Sequence, residues 1–247
     1  MTSLCSPWFK AQATNSNGKI RLFCFPFAGA GASAYQGWQQ HLHPDIQLIS
    51  VQLPGRENRF SEPAISDMAE LLALLTPLFT PFTLTPWAVF GHSMGAAISY
   101  QLVNRLTELG CSPPIRLFVS AKTPPHMPPS AELIGDLPDQ QLIETLAQRY
   151  KADVSTPGRE LLELMLPTLR ADFRLIESPF AGRLNVIPSP ITAFNGSLDH
   201  SVDAQQMSQW SRYSNDEFEQ IEVNGPHFYL QSAARMLTTI INARLHL

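Results

Sequence analysis

Six short apolar runs punctuate this chain: IRLFCFPF at 20–27, IQLISVQL at 46–53, PWAVF at 86–90, IRLFVSA at 115–121, PITAFNG at 190–196 and FEQIEV at 218–223. Most are continuous rather than alternating, the pattern of strands covered on both faces. Between them lie helical patterns at 33–42, 66–79, 95–109, 202–212 and 229–244. Strands that alternate with helices leave few architectures open, and they predict an α/β fold with a mostly parallel sheet. A chain of 247 residues, 44% hydrophobic and 15% charged, can bury one full core without dividing it, so a single domain over 1–247 is expected.

The rhythm breaks once, between Pro124 and Pro188. This stretch opens inside the proline-rich TPPHMPPS and continues through the helical segments DQQLIETLAQRYK and GRELLELMLPTLRADFRLIES before the next strand. Helices inserted between two core strands are expected to form a cap over the sheet's edge. Pro167 lies inside the second segment, where it removes a backbone donor and crowds the preceding turn, so a kink or break is expected there.

Charge and composition exclude several partners. The net charge of −4 comes with no cluster of lysine and arginine, so nucleic acid is not an expected partner. No apolar run approaches the roughly 20 residues that span a bilayer, and MTSLCSPWFKAQ offers no export signal. Cys5, Cys24 and Cys111 are widely spaced and odd in number, which suits neither a disulfide framework nor a zinc site. A cytoplasmic protein without metal or membrane contact is expected.

Residues 91–95 read Gly-His-Ser-Met-Gly, a G-x-S-x-G pentapeptide. By chance alone it arises in roughly one chain in twelve of this length, so its setting decides its meaning. Here an apolar strand pattern precedes it and Ala96, Ala97, Ile98 and Leu102 begin a helix. A serine on such a sharp strand-to-helix turn is held with its hydroxyl exposed, and glycines are required where strand and helix backbones pass closely. Ser93 is therefore the candidate nucleophile.

A serine hydroxyl attacks only when a positioned base takes its proton, so a histidine backed by an acid is required, in the chain order serine, acid, histidine. His227 follows the run FEQIEV and the turn Asn224-Gly225-Pro226, which places it at the carboxyl edge of the sheet. His92 sits inside the serine's own turn and is expected to point away from the hydroxyl. Asp199 follows the run PITAFNG directly; Asp203, four residues on, falls where a helix begins and reads as a first-turn charge. An oxyanion needs two N–H donors, one from Met94 just after the nucleophile and one from the loop FPFAGAGAS, with Ala28 the candidate and Phe27 second.

With these residues in place, FCFPFAGAGASAY, VQLPGRENRFSEP, GHSMGA, LRADFRLIE, ITAFNGSLD and GPHFYL together resemble the type II thioesterases that accompany nonribosomal peptide and polyketide synthetases. The resemblance spans nearly the whole chain. It implies an α/β-hydrolase fold, a helical lid at 124–188, a Ser93–His227–Asp199 triad, oxyanion donors at Met94 and Ala28, and no cofactor, the substrate being carried on phosphopantetheine. It further implies acyl or peptidyl carrier proteins as partners and an editing role, with a monomer as the expected state. Arg56 and Arg59, after the second strand, are charges that could meet an acidic carrier or form a solvated pair with local structural roles. The alternatives are a general carboxylesterase or lipase, which uses the same groups, and a hydrolase fold that serves as a ligand sensor.

Overall fold

The computed structural model describes residues 6–11, 18–127, 132–151, 155–178 and 183–245, so Cys5 and parts of the 124–188 insertion lie outside the described residues. Seven strands form one sheet: β1 (Phe9–Ala11), β2 (Ile20–Phe25), β3 (Ile46–Val51), β4 (Trp87–His92), β5 (Leu117–Ser120), β6 (Ile191–Gly196) and β7 (Phe218–Val223). Their order across the sheet is β1-β3-β2-β4-β5-β6-β7. Every neighbouring pair is parallel except β1 with β3, where Phe9 lies opposite Val51 in antiparallel register.

The continuous apolar runs are explained by cover on both faces. Successive side chains of a strand point to opposite sides. Thus Leu22, Cys24 and Phe90 join one core layer with Tyr35, Trp38 and Leu237, while Phe23, Phe25 and Val89 join the other with Leu71, Ile98 and Leu102. The second layer is roofed by α1 (Met68–Phe79) and α2 (Met94–Glu108). A side chain of this size fully buried contributes about 1.5–3 kcal/mol, so the two layers together hold the sheet rigidly behind the site. β7 is half-buried along most of its length because it is the edge strand.

The insertion forms its own small apolar cluster. Leu142, Ile143 and Leu146 of α3 (Asp139–Tyr150) pack against Leu166, Leu169 and Phe173 of α4 (Thr156–Glu177). Of the kink or break expected at Pro167, the break does not occur: α4 runs on for 22 residues with the proline inside it. Apolar contacts on both sides of the proline, and the Thr168 hydroxyl bonded to the Gly55 carbonyl at 2.5 Å, hold the helix across the missing donor.

Three further expectations change. The helix predicted over 33–42 is instead a pair of 3-10 turns, Ala32–Tyr35 and Trp38–His41, because Gly37 between them adopts φ +84° and turns the chain. The pattern at 202–212 divides into α5 (Ala204–Ser208) and a 3-10 turn, Gln209–Tyr213, and the last helix, α6 (Ala234–Arg244), begins five residues later than its predicted start at 229.

Candidate active site

β4 delivers its chain end into a strained turn. Ser93 has φ +53° and ψ −116°, a conformation costing on the order of 1–3 kcal/mol for a residue with a side chain. The surrounding packing enforces it: Ser93 N–H donates to the Ser120 carbonyl at 2.8 Å. A Cβ on Gly91 would sit 2.2 Å from the Gly95 carbonyl oxygen, and one on Gly95 would sit 2.0 Å from that of Phe25. Both glycines are therefore demanded by close backbone passage. α2 starts at Met94, so its N-terminal dipole end lies beneath the serine.

The loops after β6 and β7 bring the other two groups to this edge. Ser197 N–H bonds the Val223 carbonyl at 2.8 Å and Leu198 N–H bonds that of Gly225 at 2.9 Å, which ties the two loops together. His227 Nε2 lies 3.0 Å from Ser93 Oγ, and His227 Nδ1 lies 2.7 Å from Asp199 Oδ2. With the carboxylate accepting from Nδ1–H, Nε2 is free to accept the serine proton. Asp199 Oδ1 accepts from Ser201 twice, from its hydroxyl at 2.6 Å and its N–H at 2.8 Å. Burial pushes the Asp199 carboxyl upward, but the hydrogen bonds from His227 and Ser201 and the imidazole's charge outweigh it and hold the pKa below the usual range.

Asp203 takes no part in this line. It caps α5, accepting from Gln206 N–H at 2.7 Å while the Gln206 side chain returns a bond to Asp203 N–H. His92 points away from the serine hydroxyl, as expected, into a buried chain in which its Nδ1 is 2.8 Å from Ser120 Oγ and Ser120 Oγ is 2.5 Å from Tyr229 Oη. Burial drives the His92 pKa well below that of an ordinary histidine. It stays neutral, so no second imidazolium forms 5.5 Å behind the His227 ring.

The two N–H groups expected to face an oxyanion, those of Met94 and Ala28, have no hydrogen-bond partner among the described residues, and neither has Phe27 N–H. By contrast Gly29 and Ala30, next in the loop, have theirs engaged.

The pattern of the thioesterase domain family matches residues 20–245. The gramicidin S biosynthesis protein GrsT of Aneurinibacillus migulanus is 34% identical over 92% of this chain and 90% of its own. Among solved structures, the type II thioesterase BorB from the borrelidin biosynthetic cluster superposes with a TM-score of 0.86 at 29% identity, covering 97% of this chain and 98% of its own. The RedJ thioesterase of the prodiginine pathway in Streptomyces coelicolor gives 0.84 at 30% identity, covering 92% and 86%. This chain belongs to the thioesterase family. It is a thioester hydrolase with the sheet and flanking helices of the α/β-hydrolase fold.

In this thioesterase a cavity of about 200 Å³ opens beside Ser93 and His227 and runs between β5's end and the insertion, where Gln101, Lys122, Phe173 and Glu177 line it. Aromatic rings wall the histidine: Tyr150 from α3 lies 5.1 Å from the His227 ring and Phe228 lies 4.9 Å from it. Among the described residues no three His, Cys, Asp or Glu side chains gather as a metal site, and no helix is long and apolar enough to cross a membrane.

The two arginines of LPGRENR are not surface charges. Arg56 is 3% exposed and forms a bidentate pair with Asp172 on α4 at 2.7 and 2.8 Å. Arg59, also buried, pairs with Glu62 and lies 4.4 Å over the Trp8 ring. Neither expectation for them holds as stated: both guanidinium groups are engaged inside the protein, so they neither meet an acidic carrier nor form a solvated pair, and of the alternative only the structural role remains. Sequence reasoning also missed Ser201, although Asp199-His200-Ser201 has the spacing of an aspartate that accepts from the N–H two residues on.

Proposed function

We propose that this thioesterase clears acyl groups from the phosphopantetheine arms of carrier proteins, freeing stalled or wrongly loaded peptide and polyketide synthetases. The observation that carries the reading is the continuous line Asp199–His227–Ser93, opening into a cavity beneath an inserted pair of helices. The names of GrsT and of the BorB and RedJ structures, each tied to a biosynthetic pathway or cluster, support it.

In this reading Ser93 Oγ attacks the thioester carbonyl carbon while His227 Nε2 takes its proton. Asp199 keeps the imidazole in the tautomer with Nδ1–H and stabilises the imidazolium. Met94 and Ala28 N–H groups hold the oxyanion, each worth on the order of a hundred- to a thousandfold in rate. His227 protonates the departing thiolate, then draws a proton from water, which attacks the acyl-serine and releases the acid. Residues 124–188 act as a lid that admits the arm while the folded carrier stays outside. The enzyme works as a monomer in the cytoplasm and needs no cofactor.

The test is kcat/KM for one acyl group presented on a carrier protein, on coenzyme A and as a p-nitrophenyl ester. A carrier preference is expected, since docking energy then helps position the thioester. Equal values on carrier and coenzyme A overturn the carrier assignment, and a preference for the oxygen ester points to a general esterase.

A further inference from the structure

We infer that Asp172 and Arg56 are positioning residues for the oxyanion hole, through which the long helix of the insertion holds the loop that carries Ala28. The inference rests on the reading above that Ala28 N–H faces the oxyanion.

The loop after β2 makes a four-residue turn, with Ala30 N–H donating to the Phe27 carbonyl at 3.0 Å and Gly29 at φ +79°. Positive φ at the third residue is the type II arrangement. Ala28 N–H belongs to the peptide before this one, Phe27 to Ala28, so its aim depends on where the whole turn sits against the sheet's edge. A turn closed by one backbone bond needs an external hold if Ala28 N–H is to stay aimed.

Asp172 supplies the hold. Its Oδ2 accepts from Gly29 N–H at 2.7 Å and from Arg56 Nη1 at 2.7 Å, while Oδ1 accepts from Arg56 Nη2 at 2.8 Å. Arg56 also reaches the Ala30 carbonyl at 3.3 Å and the Pro54 carbonyl at 3.1 Å. The planar fork of a guanidinium on a carboxylate fixes orientation as well as distance. The N–H at the turn's centre and the carbonyl of its last residue are thereby tied to one buried pair.

α4 closes over the same spot, since a Cβ on Gly29 would lie 2.8 Å from Leu169 Cδ2 and the Thr168 hydroxyl bonds the Gly55 carbonyl. A buried ion pair contributes little net stability because desolvation offsets its attraction. Its distinct contribution here is the direction it imposes on Gly29 N–H. It follows that the insertion is part of the catalytic apparatus, because displacing α4 withdraws Asp172 from the turn.

The experiment compares two charge-free pairs, Arg56→Met with Asp172→Ala and Arg56→Met with Asp172→Asn, each measured per folded molecule. The asparagine carbonyl can still accept from Gly29 N–H; the alanine cannot. The alanine pair is expected to lose about a hundredfold in kcat, the loss typical of a misplaced oxyanion donor. It should weaken inhibition by an acyl-mimicking boronic acid in parallel, with KM changed less than about threefold and the pH profile kept, since ground-state binding is spared. The asparagine pair is expected to recover at least about tenfold of that kcat loss.

Equal kcat per folded molecule in the two pairs, with equally lowered Tm, would show a structural role only and overturn the inference. Arg56→Lys, which keeps the buried charge paired but loses the fork, serves if either pair fails to fold. It is expected to lower kcat about tenfold without raising KM, and wild-type kcat there overturns the inference as well. Ser93→Ala is run alongside. If it retains turnover the triad reading fails, whereas a dead Ser93→Ala with insensitive Asp172 variants leaves the triad and removes only this proposal.

Discussion

Asp199 and Asp172 are both buried carboxylates, 9% and 1% exposed, each receiving a backbone N–H and a nitrogen-bearing side chain. They differ in what those side chains can do with a proton. Asp199 faces an imidazole, which in the proposed cycle takes a proton from the serine and gives it up again. Asp172 faces a guanidinium, which never loses one in a protein. In the proposed cycle the first acid stabilises a charge that comes and goes at the sheet's edge; the second makes a permanent pair that joins the insertion to the core. Burying a carboxylate thus leads to chemistry or to rigidity according to the partner.

That contrast predicts separable failures. The largest expected effect is on rate: Asp199→Asn should cut kcat by about four orders of magnitude, because the amide favours the wrong tautomer of His227, while Tm moves little. Steady-state kinetics with a thermal melt on the same sample checks both, and a large loss of Tm with preserved turnover would erase the distinction. Asp172→Ala alone should do the reverse first, lowering stability by about 3–5 kcal/mol because the Arg56 guanidinium is left buried and unpaired. Denaturant unfolding measures this, and a loss below about 1 kcal/mol would mean that water reaches Arg56.

A third acid sharpens the comparison. Asp203 lies four residues beyond Asp199 but caps α5, so Asp203→Ala should cost about 1 kcal/mol of stability and leave kcat unchanged. If it instead mimicked Asp199→Asn, the acid of the triad would need reassignment. The smallest effect concerns pH. Asp199's pKa is lowered on folding, so the unfolded chain binds its proton first. Its contribution to stability is complete above the ordinary carboxylate range near pH 4 and fades as pH falls through the lowered value. Comparing Tm across pH about 3–6 should show a flatter acid limb for Asp199→Asn than for the parent; identical slopes would deny the shift.

Much of this arrangement is legible in the chain because it is local. The strand runs and the turn glycines at 91 and 95 depend on residues near one another, and Ser93, Asp199 and His227, up to 134 residues apart, are each read from the strand run just before them together with the chain order of the fold. Even Ser201 had a local signal. Other features had none: β1 is only three residues long with two of them exposed, so no periodicity can announce it. The 33–42 pattern has a helix's spacing, and only the φ of Gly37 divides it.

The sequence by itself determined the parallel sheet, the strained serine and the partners waiting at its edge, since each follows from backbone rules acting over a few residues. Only the tertiary structure decided the fate of the charges. Arg56 and Asp172 are 116 residues apart and polar, so by sequence each belongs at the surface. They are inside because α4 lies across the loop after β3, with Thr168 on Gly55 and Leu169 on Gly29. A buried charge is tolerable only where its counterpart arrives from elsewhere in the chain, and that meeting is a property of packing rather than of pattern.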